Sequence, residues 1–130
     1  MCHPRQLSHV VQRTRALQES ETLLNAVVEN IPDMIFVKDA RELRFVRFNQ
    51  AGEELIGVDR HRMIGRNDYD FFPTEQADHF RRNDHAILES RKMAEIEEPI
   101  ATQKKGQRWL RTKKLPILDA AGTPRFILGI

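Results

Sequence analysis

Between residues 7 and 31 apolar side chains recur at alternating spacings of three and four. Leu7, Val10, Leu17, Leu24, Val28 and Ile31 hold the stripe, and Thr14 and Glu21 interrupt it. That period is the buried face of an amphipathic helix, about three heptads long. Pro32 sets its end, because the residue before a proline is pushed out of the helical region. The other face carries Arg5, Arg13, Arg15, Glu19 and Glu29. Two readings of the stripe stand: a helix packed on its own domain, or one member of a dimerising coiled coil. A stripe this short is marginal as an isolated helix.

After Pro32 the period changes. Met34 to Lys38 is apolar and rich in β-formers, and Asp39-Ala40-Arg41-Glu42 reads as a turn. Leu43 to Phe48 alternates like a half-buried strand. Asn49 stands where a helix N-cap belongs, before Gln50 to Ile56, and Gly57 is a natural C-terminal stop. A second short helical turn, Asp59 to Met63, is stopped by Gly65. Pro73 opens a longer helix, since its missing N–H costs nothing in a first turn. Ala77, Phe80, Asp84, Ile87 and Leu88 keep helical spacing to about Arg91. Three strand-like runs follow: Glu95 to Thr102, Gln107 to Ile117 and Pro124 to Ile130. Pro99 marks the first of these as an edge strand or a bulge. The order predicts an α+β fold: a five-stranded antiparallel sheet with short helices on one face, preceded by the amphipathic helix. Residues 1–31 form the helical segment and residues 32–130 the domain.

Composition narrows the classes. With 130 residues the chain has room for one domain and an appended element. Charged residues make up 31% of it, yet the net charge is only +2, too balanced to imply nucleic acid or a membrane surface by itself. Cys2 is the sole cysteine, so no internal disulfide or paired-cysteine metal site exists. No apolar run approaches the roughly 20 residues of a membrane span, and no signal-peptide core is present, so a cytoplasmic setting is expected.

The same order and residues resemble a PAS domain, the sensory module of bacterial signalling proteins such as sensor histidine kinases. The matching runs are Glu29 to Asp39, Phe48-Asn49-Gln50-Ala51 with Leu55-Ile56-Gly57, Ile64 to Asn67 with Asp70 to Pro73, Lys105 to Leu110, Leu115 to Ile117 and Asp119 to Gly122. The resemblance covers about residues 21 to 130. It implies a sensory and dimerisation module lying upstream of an output domain, often a histidine kinase or a cyclic-dinucleotide enzyme. The last strand ends still in pattern, so the chain is read as a fragment whose output domain follows it. A homodimer through the first helix is the expected partner, with a small molecule in the core as the input.

In PAS relatives the ligand cavity lies between the inner sheet face and the small helices. That places Phe36, Phe48, Asn49, Ile56, Ile64, Phe71, Ile87, Leu110 and Thr112 around it, if the alternation falls so; a one-residue slip reverses a strand's faces. Flavin-binding light-sensing relatives follow a Gly-Arg-Asn run with a reactive cysteine. Here Gly65-Arg66-Asn67 is followed by Asp68, which cannot form the cysteinyl adduct and reads as a turn or cap residue. Haem-binding relatives take an iron ligand from the long helix, where His79 and His85 lie. Six residues turn a helix by about 600°, so only one could point inward, and His79 is the better placed. Its very polar surroundings read as a solvated face. No cofactor is therefore the expectation, with haem or flavin as the alternative, and a ligand-free interaction module as another.

No nucleophile-base set, metalloprotease helix, P-loop or dinucleotide fingerprint is present, so the chain is read as non-enzymatic. The run Lys104, Lys105, Arg108, Arg111, Lys113 and Lys114 carries six positive charges. Only Trp109 is interleaved, where stacking on nucleic acid needs more aromatics. A solvated strand face is the reading, with no nucleic-acid partner; the alternative is a residue of this run turned inward to hold a ligand carboxylate. Trp109 reads as core or interface packing.

Overall fold

A computed structural model describes residues 4–130, with side chains from residue 9 onward. Cys2 and the side chains of Arg5 and Leu7 lie outside the described residues. The chain divides into two units, Met1–Ile31 and Pro32–Ile130. The first contains one helix, α1 (Pro4–Asn30). Its stripe residues Val10, Leu17 and Leu24 are 56–61% exposed, and the neighbouring Val11, Leu23 and Val27 are exposed as well.

The second unit is a five-stranded antiparallel sheet with helices inserted between its two hairpin regions. Its elements are β1 (Phe36–Asp39), β2 (Phe45–Phe48), α2 (Gln50–Ile56), α3 (Arg60–Met63), a 3₁₀ turn (Asp68–Asp70), α4 (Thr74–Ser90), β3 (Ala94–Thr102), β4 (Gly106–Leu118) and β5 (Pro124–Gly129). The strand order is β2-β1-β5-β4-β3. The edge position of β3 accommodates Pro99, which has no N–H to give a second neighbour.

Both leading strands are shorter than the apolar pattern predicts, for local reasons. Asp39 accepts hydrogen bonds from the backbone N–H groups of Arg41, Glu42 and Arg44 at 2.7–3.0 Å, which winds the turn through Leu43. Leu43 adopts a left-handed φ of 56° and is fully buried against Ile87 and Ile127 instead of entering the strand. At the other end, the N–H of Ile35 donates to the Asn49 side chain (2.8 Å), and Asn49 donates back to the carbonyl of Asp33 (2.9 Å). The same Asn49 oxygen caps α2 by accepting from the Gly52 N–H (3.0 Å). One buried amide thus fixes both the entry to β1 and the start of α2.

The pairing of β1 with β2 jumps from Val37↔Arg47 to Lys38↔Phe45, leaving Val46 as the extra residue of a bulge. The bulge turns both Phe45 and Phe48 inward, three residues apart. They join Phe36, Ile56, Val58, Met63, Phe72, Phe80 and Ile100 in the main core. Edge-to-face contacts link Phe36 to Phe45 (6.2 Å between centroids), Phe45 to Phe48 (5.9 Å) and Phe72 to Phe80 (5.2 Å).

Gly129 faces Phe36 across the β1–β5 pair. A methyl group there would come within 2.1 Å of the Phe36 ring. We predict that Gly129→Ala destabilises the domain by about 3 kcal/mol, the upper end of the usual overpacking cost. Equilibrium urea unfolding followed by circular dichroism checks this; a variant as stable as the parent would contradict the packing described.

Candidate functional site

Alternation along three strands points polar side chains into this aromatic core. On β1, Lys38 follows Phe36 to the inner face; on β4, Lys114 follows Leu110 and Thr112; on β3, Glu98 sits between Ile96 and Ile100. From the helical side come Asp68, the first residue of the 3₁₀ turn, and Asp84, on the buried face of α4 with Ala77, Phe80 and Ile87. Asn67 caps the 3₁₀ turn, and Phe45 exchanges backbone hydrogen bonds with Gly65 and Arg66 (2.8 and 2.9 Å), which anchors the loop bearing Asp68.

These five groups form one buried cluster, each side chain at most 5% exposed. The Lys38 ammonium donates to Asp68 Oδ2 at 2.6 Å and to Asp84 Oδ2 at 2.7 Å. Lys114 Nζ lies 3.0 Å from Asp84 Oδ1 and 3.6 Å from Glu98 Oε1. The Lys114–Asp84 contact is an ion pair that compensates the charge on Asp84 Oδ1. Aromatic faces complete the shell: Lys38 Nζ lies 5.2 Å from the Phe36 centroid and 5.1 Å from that of Phe45, and Lys114 Nζ lies 5.7 Å from Phe80.

The neighbours act on each group differently. Burial alone would lower the Lys38 pKa, but Asp68 and Asp84 together outweigh it and hold the pKa above the ordinary value. Burial also raises Asp68, and there Lys38, its one close cation, does not overcome the desolvation. Asp84 suffers the same burial but faces both lysines, and its pKa falls below the ordinary value. Two carboxylates equally close to one ammonium therefore shift in opposite directions.

Glu98 forms the edge of the cluster. Its Oε2 lies 3.4 Å from Asn83 Nδ2 and 3.5 Å from His79 Nε2, and the Asn83 amide is also 3.1 Å from His79 Nε2. The His79 side chain is 40% exposed and reaches solvent.

Beside the cluster is a cavity of about 30 Å³, room for about one water molecule. Of the residues expected to line a pocket, Phe36, Phe48, Ile56, Leu110 and Thr112 line it. Four do not. Asn49 is buried but holds the α2 cap. Ile64 follows α3 outward and is 43% exposed. Phe71 packs edge-on against Phe45 from outside the cavity. Ile87, a full helical turn beyond Asp84, joins the separate Leu43–Ile127 cluster. Asp68 is not the turn cap its local sequence implies; Asn67 takes that role and Asp68 goes inside. Trp109 is not core: it lies on the outer sheet face, 75% exposed. On the same strand Arg111 and Lys113 pair across to Glu97 (3.0 Å) and Glu95 (3.8 Å), while Lys114 turns inward.

Lys38 is inconspicuous in the sequence because it ends an apolar run. The signal was present all the same, since Phe36 and Lys38 share a strand face. Neither haem nor flavin fits this core. Cofactor pockets run to about 300–1,000 Å³, and the ammonium groups of Lys38 and Lys114 are locked to carboxylates in the space between sheet and α4. His79 is turned toward Glu98 at the rim. Among the described residues no three His, Cys, Asp or Glu side chains are gathered to hold a metal ion.

A family model described as the PAS fold matches residues 28–130, and the chain belongs to that family. It is 40% identical over 94 residues to the uncharacterized protein y4lL of Sinorhizobium fredii (strain NBRC 101917 / NGR234), covering 72% of this chain and 11% of that protein. It is 28% identical over 125 residues to the methanogenesis regulatory histidine kinase FilI of Methanothrix harundinacea (strain 6Ac), covering 95% of this chain and 14% of that one. The chain thus spans between a tenth and a sixth of these relatives' length. Among solved structures, the PAS domain of an HTR-like protein from Haloarcula marismortui superposes with a TM-score of 0.69 at 22% identity, covering 92% of this chain and 95% of that one.

Removing one partner of a buried ion cluster leaves its counter-charges stranded. Lys38→Met is predicted to cost about 3–5 kcal/mol, measured by urea unfolding at neutral pH; a loss below about 1 kcal/mol would show that Asp68 and Asp84 do not depend on Lys38. The gap also has a pH signature. Because the folded pKa of Lys38 is raised, its contribution is complete below 10.5 and is lost as pH rises through the folded value. The stability advantage of the parent over Lys38→Met is therefore expected to shrink only above pH 10.5.

Proposed function

We propose that this chain is the sensory input and dimerisation module of a larger cytosolic signal-transduction protein, with no catalysis of its own, that passes a change in its core to an output domain such as a histidine kinase. The observation that carries the reading is the similarity, along 95% of this chain, to a segment making up only 14% of a regulatory histidine kinase. A module embedded in that way serves the rest of its protein.

Two physical features support the mechanism. The exposed apolar side chains of α1 recur at coiled-coil spacing, and Val10, Leu17 and Leu24 are more than half exposed. Such a stripe gains most by facing a second copy of itself. The charge cluster supplies the sensing end: it ties β1, β3, β4, α4 and the 3₁₀ turn together, so a change in its occupancy or ionisation reaches every layer of the domain.

The dimer is tested by sedimentation velocity over micromolar to high micromolar concentrations. The parent chain is expected to sediment as a dimer, and Leu17→Glu with Leu24→Glu as a monomer of unchanged domain stability. A parent chain that is monomeric at high micromolar concentration would remove the coiled-coil part of this reading.

A further inference from the structure

The cluster does not balance. Lys38 and Lys114 supply two positive charges, while Asp68, Asp84 and Glu98 supply three negative ones. With every group in its ordinary ionisation the core holds one uncompensated anion. An unpaired buried charge is among the costliest features a fold can carry. The contacts show which group is short of a partner. Asp68 and Asp84 sit within 2.6–3.0 Å of an ammonium, but the nearest ammonium to Glu98 is that of Lys114 at 3.6 Å, and His79 Nε2, at 3.5 Å, carries charge only when protonated.

We propose that the core is a one-proton site: the cluster is completed by a proton held on one of its carboxyls, taken up and released through the His79–Glu98 edge. The charged and titratable groups facing that edge are Asp84 and His79 from α4, Lys114 from β4, Lys38 from β1 and Asp68 from the 3₁₀ turn. Of these, His79 is the one that reaches water. Groups this close titrate as a unit, so the proton belongs to the cluster and not to one residue. The raised pKa of Asp68 lies in the same direction. A proton needs no space, which suits a cavity of about 30 Å³.

Release of the proton leaves an anion between α4 and the β3–β4 hairpin. These elements are otherwise tied near this edge by the Gln76 side chain accepting from the Ala101 N–H (2.9 Å). Deprotonation therefore loosens α4 against the sheet, a response to the pH around the domain. The site stands whether or not the chain forwards a signal, so a monomeric chain would not touch it.

The sign follows from linkage. A folded state that keeps a proton the unfolded chain has lost is destabilised as pH rises. Between about pH 5 and the release point, the unfolding constant is expected to rise about tenfold per pH unit, the slope of one proton, and then to level off. Glu98→Gln removes the odd charge and should abolish the slope. In infrared spectra of the folded parent near pH 6, the carbonyl band of a buried protonated carboxyl should be present, and Glu98→Gln should lack it. A parent profile flat from pH 5 to 8, a slope that survives Glu98→Gln, or a missing band would each overturn the proposal. So would stability that tracks sodium or ammonium chloride at fixed pH, since a small cation would then be the missing charge.

Discussion

The interior of this domain is organised around the ammonium group of Lys38, held between Asp68 and Asp84 with two phenyl rings beside it. Each partner comes from a different part of the chain: a strand, the loop leading to α4, and α4 itself. Desolvating such groups costs several kcal/mol per ion, recovered only when their geometry is good. The contact therefore imposes a strict condition on how β1, the 3₁₀ turn and α4 meet, one that apolar packing alone would not impose. Lys114 extends the condition to β4, and through Glu98 to β3.

Between the PAS sheet and its helices, Lys38 and Lys114 line a cavity of only about 30 Å³. An input acting on ionisation would be felt at once by the sheet and by α4, whereas a bulky ligand would first have to displace paired ions.

Much of the architecture was legible in the sequence. Periodicity and punctuation placed the elements, because Asn49, Gly57, Pro73 and Pro99 act through backbone chemistry that is local. The site was less legible, for reasons of range. Asp68 looks like a turn residue because Asn67, Asp68 and Asp70 are all cap formers, and only the fold shows that Asn67 takes the cap. Asp84 keeps the apolar rhythm of α4, which marked it as inward-facing but not as paired to a lysine 46 residues away. Lys114 sits in a basic run whose other members face water, and alternation from Thr112 was the clue that it does not. Val46 hid the strand faces, since a bulge shifts the parity of everything beside it.

Gly129 carries one more consequence. The Phe36 ring occupies the position where its side chain would be, so β1 and β5 interlock by an absence. Hydrogen bonds between antiparallel strands repeat along their length and tolerate sliding; a ring that needs a gap does not. A two-residue slip, the smallest that keeps the same face inward, would bring Ile127 under the ring, and that position has no room for it. The central pair of the sheet is thus keyed by size. Its register is verified by the residue that contributes no side chain.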